Sequence, residues 1–273
     1  MSNILKDEKQ EQVIRGLLEG SSVRSVERMT GIHRDTIIRL MVRVGQGSKK
    51  LLDAKMRDLK SERIQVDEVW GYVGKKQRHL RAGDDELLGD TWTFVALDAD
   101  TKIVPTFLVG KRTQKNATTF LTDLASRLDS RVQLSSDQLA AYVNSVYAAF
   151  GPEVDYGQIV KSYEAEPVGA GRYSPPKVVS VDRRRVWGSP DPKHISTSHV
   201  ERQNLTMRMN IRRLTRLTNA FSKKFENLEA AVALHFAFYN FCRPHQTIKV
   251  TPAVKAGIER YKWSIGKLLE NTL

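Results

Sequence analysis

The chain has 273 residues, 40% of them hydrophobic, and its 44 Lys and Arg residues outnumber 31 Asp and Glu residues, giving a formal charge of +13. This length allows a sizeable core plus one small additional domain. The charge favours an anionic partner, although ribosomal, membrane-surface and nucleic-acid-processing proteins all share it. The single cysteine, Cys242, excludes an intramolecular disulfide and a cysteine-rich zinc module. The chain starts without an apolar signal core and its longest apolar run is too short to span a bilayer, so we expect a soluble intracellular protein.

The first predicted unit is a small all-α helix-turn-helix domain over residues 1–46. A first helix ends at Gly20, Ser21 or Ser22 can cap a second helix that ends at Gly31, and the segment HRDTIIRLMVRVG predicts a third. The third helix of such a domain enters a DNA groove. The side chains that it would present to DNA are His33, Arg34, Thr36 and Arg39. A small helical dimerisation unit has the same pattern and is the alternative interpretation.

The central part of the chain predicts a mixed α/β domain over residues 63–240. It follows a basic stretch at 47–62, which is a linker or a helical connector. Segments rich in β-branched and aromatic residues predict strands in IQVDEVWGYVG, TWTFVALDA and KIVPTFLVG. Helices and strands then alternate. The predicted helices lie in TQKNATTFLTDLASRLDS and QLAAYVNSVYAAFG, and the predicted strands lie in VQLSSD and YGQIVKSY. This order indicates a mixed sheet flanked by helices.

The last third of the chain begins with a proline-containing segment at 164–198, which predicts a long irregular loop of the kind that is often functional or mobile. From Glu201 to about Phe221 a long basic helix is expected. The segment NLEAAVALHFAFYNF predicts another helix, and residues 241–273 predict a helical tail with one more short helix in TPAVKAGIERYKW.

Three acidic residues are candidates for a functional role because of the positions at which they lie. Asp67 lies inside a predicted strand, on the face opposite to Glu68, and an unpaired buried carboxylate is costly there unless a metal ion or a nearby arginine compensates it. Asp137 ends a predicted strand, where α/β sheets bind ligands, although it could simply cap the next helix. Glu201 shares a helix face with Arg208, and a solvated charged helix is the alternative reading of that face.

Taken together, these three carboxylates fit the hydrolysis of phosphodiesters. That chemistry uses two divalent ions roughly 3.5–4 Å apart, one at the attacking and one at the leaving oxygen. Mg²⁺ prefers oxygen ligands and keeps several waters, so a few carboxylates suffice. A first strand, the end of a later strand and a late helix would bring Asp67, Asp137 and Glu201 together at one end of a sheet.

At these residues the chain resembles the bacterial insertion-sequence-one-type DDE transposases. VDEVWGYVGKK resembles the first catalytic block of that family, SSDQLAAY the second, and SHVERQNLTMRMNIRRLTRLTNAFSKKFENL the third, followed by YNFCRPHQTIKVTPAVKAGI. The similarity covers roughly residues 62–258, and the long third block is its most specific part. Relatives often carry a cysteine zinc module ahead of the helix-turn-helix, and this chain has no cysteines there.

The resemblance implies a ribonuclease-H-like catalytic core that cuts insertion-sequence ends and transfers the freed 3′-hydroxyls into target DNA. It implies that Asp67, Asp137 and Glu201 are the catalytic, metal-holding triad, with two Mg²⁺ (or Mn²⁺) ions as cofactors, and that Arg208 is the basic residue two turns beyond the glutamate. Double-stranded DNA is the expected partner, no membrane is expected, and bringing two element ends together favours a homo-oligomer on DNA. The expected location is the cytoplasm, in association with the nucleoid.

Phosphate contacts are expected from basic residues near these blocks. These residues are Lys75, Lys76, Arg78, Arg183, Arg184, Arg185, Arg208 and Arg212. Two other interpretations remain: a non-enzymatic helix-turn-helix DNA-binding regulator or decayed transposase, and a ribonuclease-H-like nuclease acting on RNA–DNA hybrids.

Overall fold

The computed structural model describes residues 5–164 and 177–273. Its helices are α1 (Asp7–Leu18), α2 (Val23–Thr30), α3 (Arg34–Lys55), α4 (Gln114–Ala125), α5 (Ala140–Phe150), α6 (Ser198–Asn210), α7 (Phe225–Phe241), α8 (Pro252–Lys255) and α9 (Ile265–Glu270). Its strands are β1 (Arg63–Val73), β2 (Gly89–Asp98), β3 (Phe107–Gly110), β4 (Val132–Ser136), β5 (Val154–Glu164) and β6 (Lys177–Trp187).

The strands form one six-stranded mixed sheet in the order β3-β2-β1-β4-β5-β6. The first three strands pair antiparallel. Strand β4 lies parallel to both β1 and β5, and β6 pairs antiparallel with β5. The predicted mixed α/β class is therefore confirmed, and this sheet with its flanking helices is compatible with a ribonuclease-H-like fold.

Each face of the sheet is covered by its own hydrophobic core. Strand alternation sends Val66 of β1 to a core that includes α4 and α5, and sends Val69 to a larger core. The larger core contains residues of α1–α3 and α6–α9. Buried residues of the N-terminal helices thus belong to the same core as one face of the sheet.

The N-terminal helices begin and end largely where the sequence predicts. The Ser22 hydroxyl accepts a hydrogen bond from the Ser25 N–H and caps α2, and Gly31 ends α2 with a left-handed φ of 70°. Helix α3, however, continues to Lys55 through the predicted boundary at residue 46. The first part of the basic stretch 47–62 is therefore helical.

Packing explains why the glycines of α3 do not end the helix. A Cβ atom at Gly45 would lie 2.3 Å from the Ala230 carbonyl oxygen, and one at Gly47 would lie 1.9 Å from the Thr272 carbonyl oxygen. Glycine at both positions lets α3 approach α7 and the C-terminal segment closely. The helix-turn-helix role and the domain boundaries stay predictions.

Two predictions in the last third of the chain are wrong. Within the segment 164–198, residues 177–187 form β6 on the outer edge of β5, while 165–176 lie outside the described residues. The helix expected from Glu201 to Phe221 ends at Asn210, because Ile211 takes an extended backbone conformation. Ile211 and Leu214 are still buried, and Leu214 lies in a 3₁₀ turn. The pattern of buried apolar residues therefore continues beyond the end of the helix.

The helix predicted in NLEAAVALHFAFYNF is confirmed as α7, and the tail after it holds two short helices. Helix α7 is buried along most of its length, and the short α8 lies in the segment expected to hold one more helix. Helix α9 is an additional element that the sequence did not indicate. None of the helices in the described part of the chain has both the length and the apolar content needed to cross a membrane.

Candidate metal centre

The pairing of β1 with β4 brings two predicted acids together. Gln65 pairs with Ser135 in the parallel ladder, and the same register, continued by two residues, sets Asp67 beside Asp137. Strand β4 ends at Ser136, so Asp137 lies at the carboxyl end of its strand, where α/β sheets bind ligands. The Asp137 Oδ1 atom accepts from the Leu139 N–H at 2.9 Å, so Asp137 shapes the turn before α5 but does not occupy its N-cap.

A third carboxylate joins these two. One carboxylate oxygen each of Asp67, Glu68 and Asp137 lies within 4.8 Å of the others. Strand alternation does place Glu68 on the other face of β1, opposite Phe94 of β2, but its longer side chain still reaches the cluster. We call these residues the sheet carboxylates. Sequence reasoning missed Glu68 because strand alternation gives the face on which a side chain lies but not how far that side chain reaches.

Burial and mutual repulsion raise the pKa values of this group. The pKa of Asp67 rises from 3.8 to about 7, mainly because of burial and then because of the negative charge of Glu68, with smaller contributions from Asp137 and Glu201. Burial is also the main cause that raises the pKa of Glu68. Both effects disfavour ionisation, so the cluster has the electrostatics of a site that needs a cation.

Only one of the sheet carboxylates has a cationic partner among the described residues. Arg112 forms an ion pair with Glu68, whose side chain is 2% exposed, and the Tyr142 hydroxyl donates to Glu68 at 3.0 Å. In residues 5–164 and 177–273, neither Asp67 nor Asp137 forms an ion pair. Arg208 lies within electrostatic reach of Asp67 but forms no ion pair with it in the described part of the chain, which favours the metal interpretation.

Helix α6 is fixed to β1 beside this cluster. The Gln65 side chain accepts hydrogen bonds from the backbone N–H groups of His199 and Val200 at 2.9 and 3.1 Å, which satisfies donors in the first turn of α6. One turn further on, Asn204 donates to Asp67 Oδ2 at 2.7 Å. These bonds orient both the helix and the Asp67 carboxylate.

Glu201 lies on the same helix but outside the group of sheet carboxylates. Its side chain is 42% exposed and forms an ion pair with Lys161 of β5. The Thr197 hydroxyl donates to the same carboxylate oxygen at 2.6 Å. The charge of Glu201 nevertheless contributes to the raised pKa of Asp67, so the two residues are electrostatic neighbours.

The donor set fits a hard divalent cation. All candidate ligands are carboxylate oxygens, which Mg²⁺ and Mn²⁺ prefer. The Oδ1 atom of Asn204 is buried and has no hydrogen-bond partner among the described residues, directly beside Asp67. An orphaned acceptor next to repelling carboxylates is what the hydration shell of a bound cation would satisfy.

The predicted DNA contacts lie mostly on the surface. His33, Arg34 and Arg39 are exposed at the start of α3, and Thr36 is half-buried. Lys76 and Arg78 are exposed after β1. Lys75 is half-buried and binds Asp84 at 2.6 Å.

The later basic residues differ in their surroundings. Arg183, Arg184 and Arg185 are exposed on β6, and Arg212 is exposed after α6. Arg208 is half-buried and donates to the Leu214 carbonyl at 3.3 Å. Its pKa is lowered by burial and by Arg216 and is raised by Asp67, so Arg208 lies within electrostatic reach of the cluster, while its contact with DNA stays a prediction.

The comparisons with known proteins leave the family open. No family model matches the sequence, and no curated protein matches it. A solved structure described as "Mos1 transposase paired-end complex with left transposon end" is similar to the chain with a TM-score of 0.22 and 13% sequence identity. The similarity covers 55% of this chain and 58% of that chain, so it spans little more than half of either protein.

Proposed function

We propose that this protein is a DNA transposase that cuts the ends of an insertion sequence and joins them to target DNA, using Mg²⁺ or Mn²⁺. The observation that carries this proposal is the convergence of the sheet carboxylates at one end of a mixed sheet, where Asp67 and Asp137 have no cationic partner in the described residues. Carboxylates that repel one another and are kept from water are costly unless a cation joins them.

Asp67 and Asp137 would hold the cation, with Glu201 completing the site from α6. Bound there, two such ions would supply Lewis-acid activation of the phosphodiester and stabilise the leaving oxygen. Asn204 holds the Asp67 carboxylate in place at 2.7 Å. Glu68, fixed by Arg112 and Tyr142, adds negative charge beside the ligands.

The remaining parts of the proposal concern DNA. The helix-turn-helix would dock on element ends through α3, and the exposed basic residues would contact phosphates, so binding would weaken steeply with salt. Two copies of the protein would bring two ends together. In this proposal the protein acts in the cytoplasm on the nucleoid.

The test is strand cleavage of a DNA substrate that carries the inverted repeats flanking the coding region. We expect Mg²⁺-dependent nicking by the wild type, and a loss of about 10³-fold or more in Asp67→Asn, Asp137→Asn and Glu201→Gln, because each removes a ligand charge. DNA affinity should change less than about twofold, since these carboxylates are not phosphate contacts. Glu86→Gln, which removes an exposed carboxylate, is the matched control.

Two results would contradict the proposal. Salt-sensitive DNA binding by the wild type without cutting would support the regulator or a decayed transposase. Cutting of RNA–DNA hybrids but not of the inverted repeats would support the nuclease.

A further inference from the structure

A second polar site lies on the far side of α6. It is a cavity of about 310 Å³ between α6, the turn after β2 and the loop that follows α7. The residues that define it are Lys102, His199, Arg202, Gln203, Arg243 and His245. The described residues that line it include no aspartate or glutamate, so its lining carries positive charge, while Asp98 and Asp100 lie outside the lining within electrostatic reach of Lys102. The loop belongs to the segment YNFCRPHQT, to which the proposed function gives no role.

Two buried donors in this cavity lack acceptors. Gln203 is 4% exposed, and its Nε2 atom has no hydrogen-bond partner among the described residues. The Nη1 atom of Arg243 is buried and unpartnered in the same part of the chain. A buried donor without an acceptor is costly. Both donors belong to residues that line this one cavity, which points to a ligand that accepts hydrogen bonds.

The other groups add a further donor and positive charge to the same space. The Thr247 N–H donates to Nδ1 of His245 at 3.2 Å, so the neutral imidazole carries its proton on Nε2 and is a donor there. Burial lowers the pKa of His245, and Lys102, His199 and Arg202 lower it further. A neutral His245 between the positive charges of Lys102 and Arg202 keeps its Nε2 proton for an acceptor, and an anion would also offset those two charges.

The cavity is built on a fixed frame. Lys102 is 6% exposed and has a left-handed φ of 64°, an uncommon conformation for a residue with a side chain. Its carbonyl oxygen accepts from the Tyr239 hydroxyl at 2.9 Å. Strained backbone of this kind is retained where the surrounding structure holds it, often at functional sites.

We propose that this cavity binds one phosphate group of a polynucleotide strand. A phosphate offers several acceptor oxygens, which suit an arginine fork, an amide N–H and an imidazole N–H together. The choice of a DNA strand as the source of the phosphate rests on the proposed function; the anion site itself does not.

Helix geometry relates the two sites. At 3.6 residues per turn, Glu201, Asn204 and Arg208 share one face of α6, whereas Arg202, Gln203 and Thr206 share the opposite face. A strand that crosses α6 would contact the cavity on one side and the sheet carboxylates on the other, about 10 Å apart across the helix.

The experiment measures binding in EDTA, so that it does not depend on the metal centre or on cleavage. Fluorescence anisotropy follows a labelled single-stranded DNA at several salt concentrations, and NMR follows the His245 imidazole during titration with that DNA or with inorganic phosphate. Arg202→Gln should weaken DNA binding about tenfold and lower the salt slope by about 1, because one charged phosphate contact is lost. Lys267→Gln removes an exposed charge from α9 and should change neither quantity.

Each outcome decides the matter. Perturbation of His245 by both ligands, together with weaker DNA binding by Arg202→Gln, supports the proposal. Perturbation by inorganic phosphate alone would mean a free phosphate ligand and would overturn the polynucleotide assignment. No response to either ligand in a folded wild type, or equal DNA binding by Arg202→Gln and Lys267→Gln, would overturn the site. Cleavage that fails while these signals persist would instead count against the transposase proposal.

Discussion

The carboxylates around Asp67 form two parts, the sheet carboxylates and Glu201 of α6, which differ in burial and in ion pairing. The sheet carboxylates sit on or directly beside two rigid strands, and Glu68 among them is 2% exposed at its side chain. Glu201 stands on α6, is 42% exposed and is already paired with Lys161. In the first part Glu68 is buried, Asp67 and Asp137 are half-buried, and the carboxylates repel one another, whereas Glu201 in the second part is exposed and paired with a lysine.

A bound cation would therefore gain different interactions at the two parts. At Asp67 and Asp137 it would relieve the mutual repulsion of carboxylates that form no ion pair among the described residues. At Glu201 it would first have to replace the Lys161 ammonium group. In the proposed centre, the sheet would supply the preorganised half, and the helix would supply a half that is held by a competing counter-ion.

The largest expected effect is on the stability of the metal-free protein as the pH changes. The pKa of Asp67 is raised from 3.8 to about 7, so between these values the folded state keeps a proton that the unfolded state has lost. The stabilisation is complete below the lower value and is lost as the pH rises towards the upper one. We expect the free energy of unfolding to fall by about 2 to 4 kcal/mol over that interval.

Urea unfolding in EDTA at a series of pH values tests this expectation. Asp67→Asn should flatten the slope and should be more stable than the wild type above neutral pH, whereas Glu86→Gln should behave as the wild type. Addition of Mg²⁺ should restore stability to the wild type and not to Asp67→Asn. If the free energy of unfolding depended on pH equally in the wild type and in Asp67→Asn, the pKa of Asp67 would not be raised by its surroundings.

A smaller effect is expected from the one cationic partner of the sheet carboxylates. Arg112→Gln leaves the Glu68 carboxylate buried without its ion pair and also removes a cation that stacks 4.7 Å from the Trp92 ring. We expect a loss of about 2 kcal/mol in the free energy of unfolding at neutral pH. The Glu68→Gln/Arg112→Gln double variant should recover much of it.

Arg57→Gln provides the control for that measurement. Arg57 pairs with Asp53 on the surface, where both side chains are more than a third exposed, and its loss should cost less than about 1 kcal/mol. If Arg112→Gln lowered the free energy of unfolding no more than Arg57→Gln does, the Glu68 carboxylate would not depend on Arg112 as a buried ion-pair partner.

Much of the fold could be predicted because hydrophobic periodicity records burial. Strands β1 and β2 and helix α7 each bury a large part of their surface, and their segments were found. Strand β6 was missed because it lies on the sheet edge, where Val178 and Val179 are 44% and 53% exposed and no alternation marks a buried face. The end of α6 was missed because buried apolar residues continue past it.

Part of the candidate site could also be predicted from the sequence. Asp67 stood out as a carboxylate inside an apolar strand, and Asp137 as one at a strand end. The pairing of Glu201 with Lys161 could not be predicted, because β5 and α6 meet only in three dimensions and are separated by a long stretch of chain. Helical spacing gave the face of Glu201 but not its ionic partner.

The smallest predicted effect concerns that partner. If Glu201 is a metal ligand, Lys161→Gln removes the competing ion pair, and the affinity for Mn²⁺ should rise about two- to fivefold, since an exposed pair is worth at most about 1 kcal/mol. Isothermal titration calorimetry of Mn²⁺ measures it. Lys193→Gln, which removes an exposed lysine near the start of α6, controls for net charge.

A double-mutant cycle separates this effect from the other contacts of Lys161. In the Glu201→Gln background, Lys161→Gln should give no gain beyond that of the Lys193→Gln control, because the carboxylate for which the lysine and the cation compete is gone. An equal gain with and without the Glu201 carboxylate would show that Lys161 acts only through the general field of the site. The sheet carboxylates would then form the centre without the helix, and the contrast between its two halves would reflect an ion pair unrelated to metal binding.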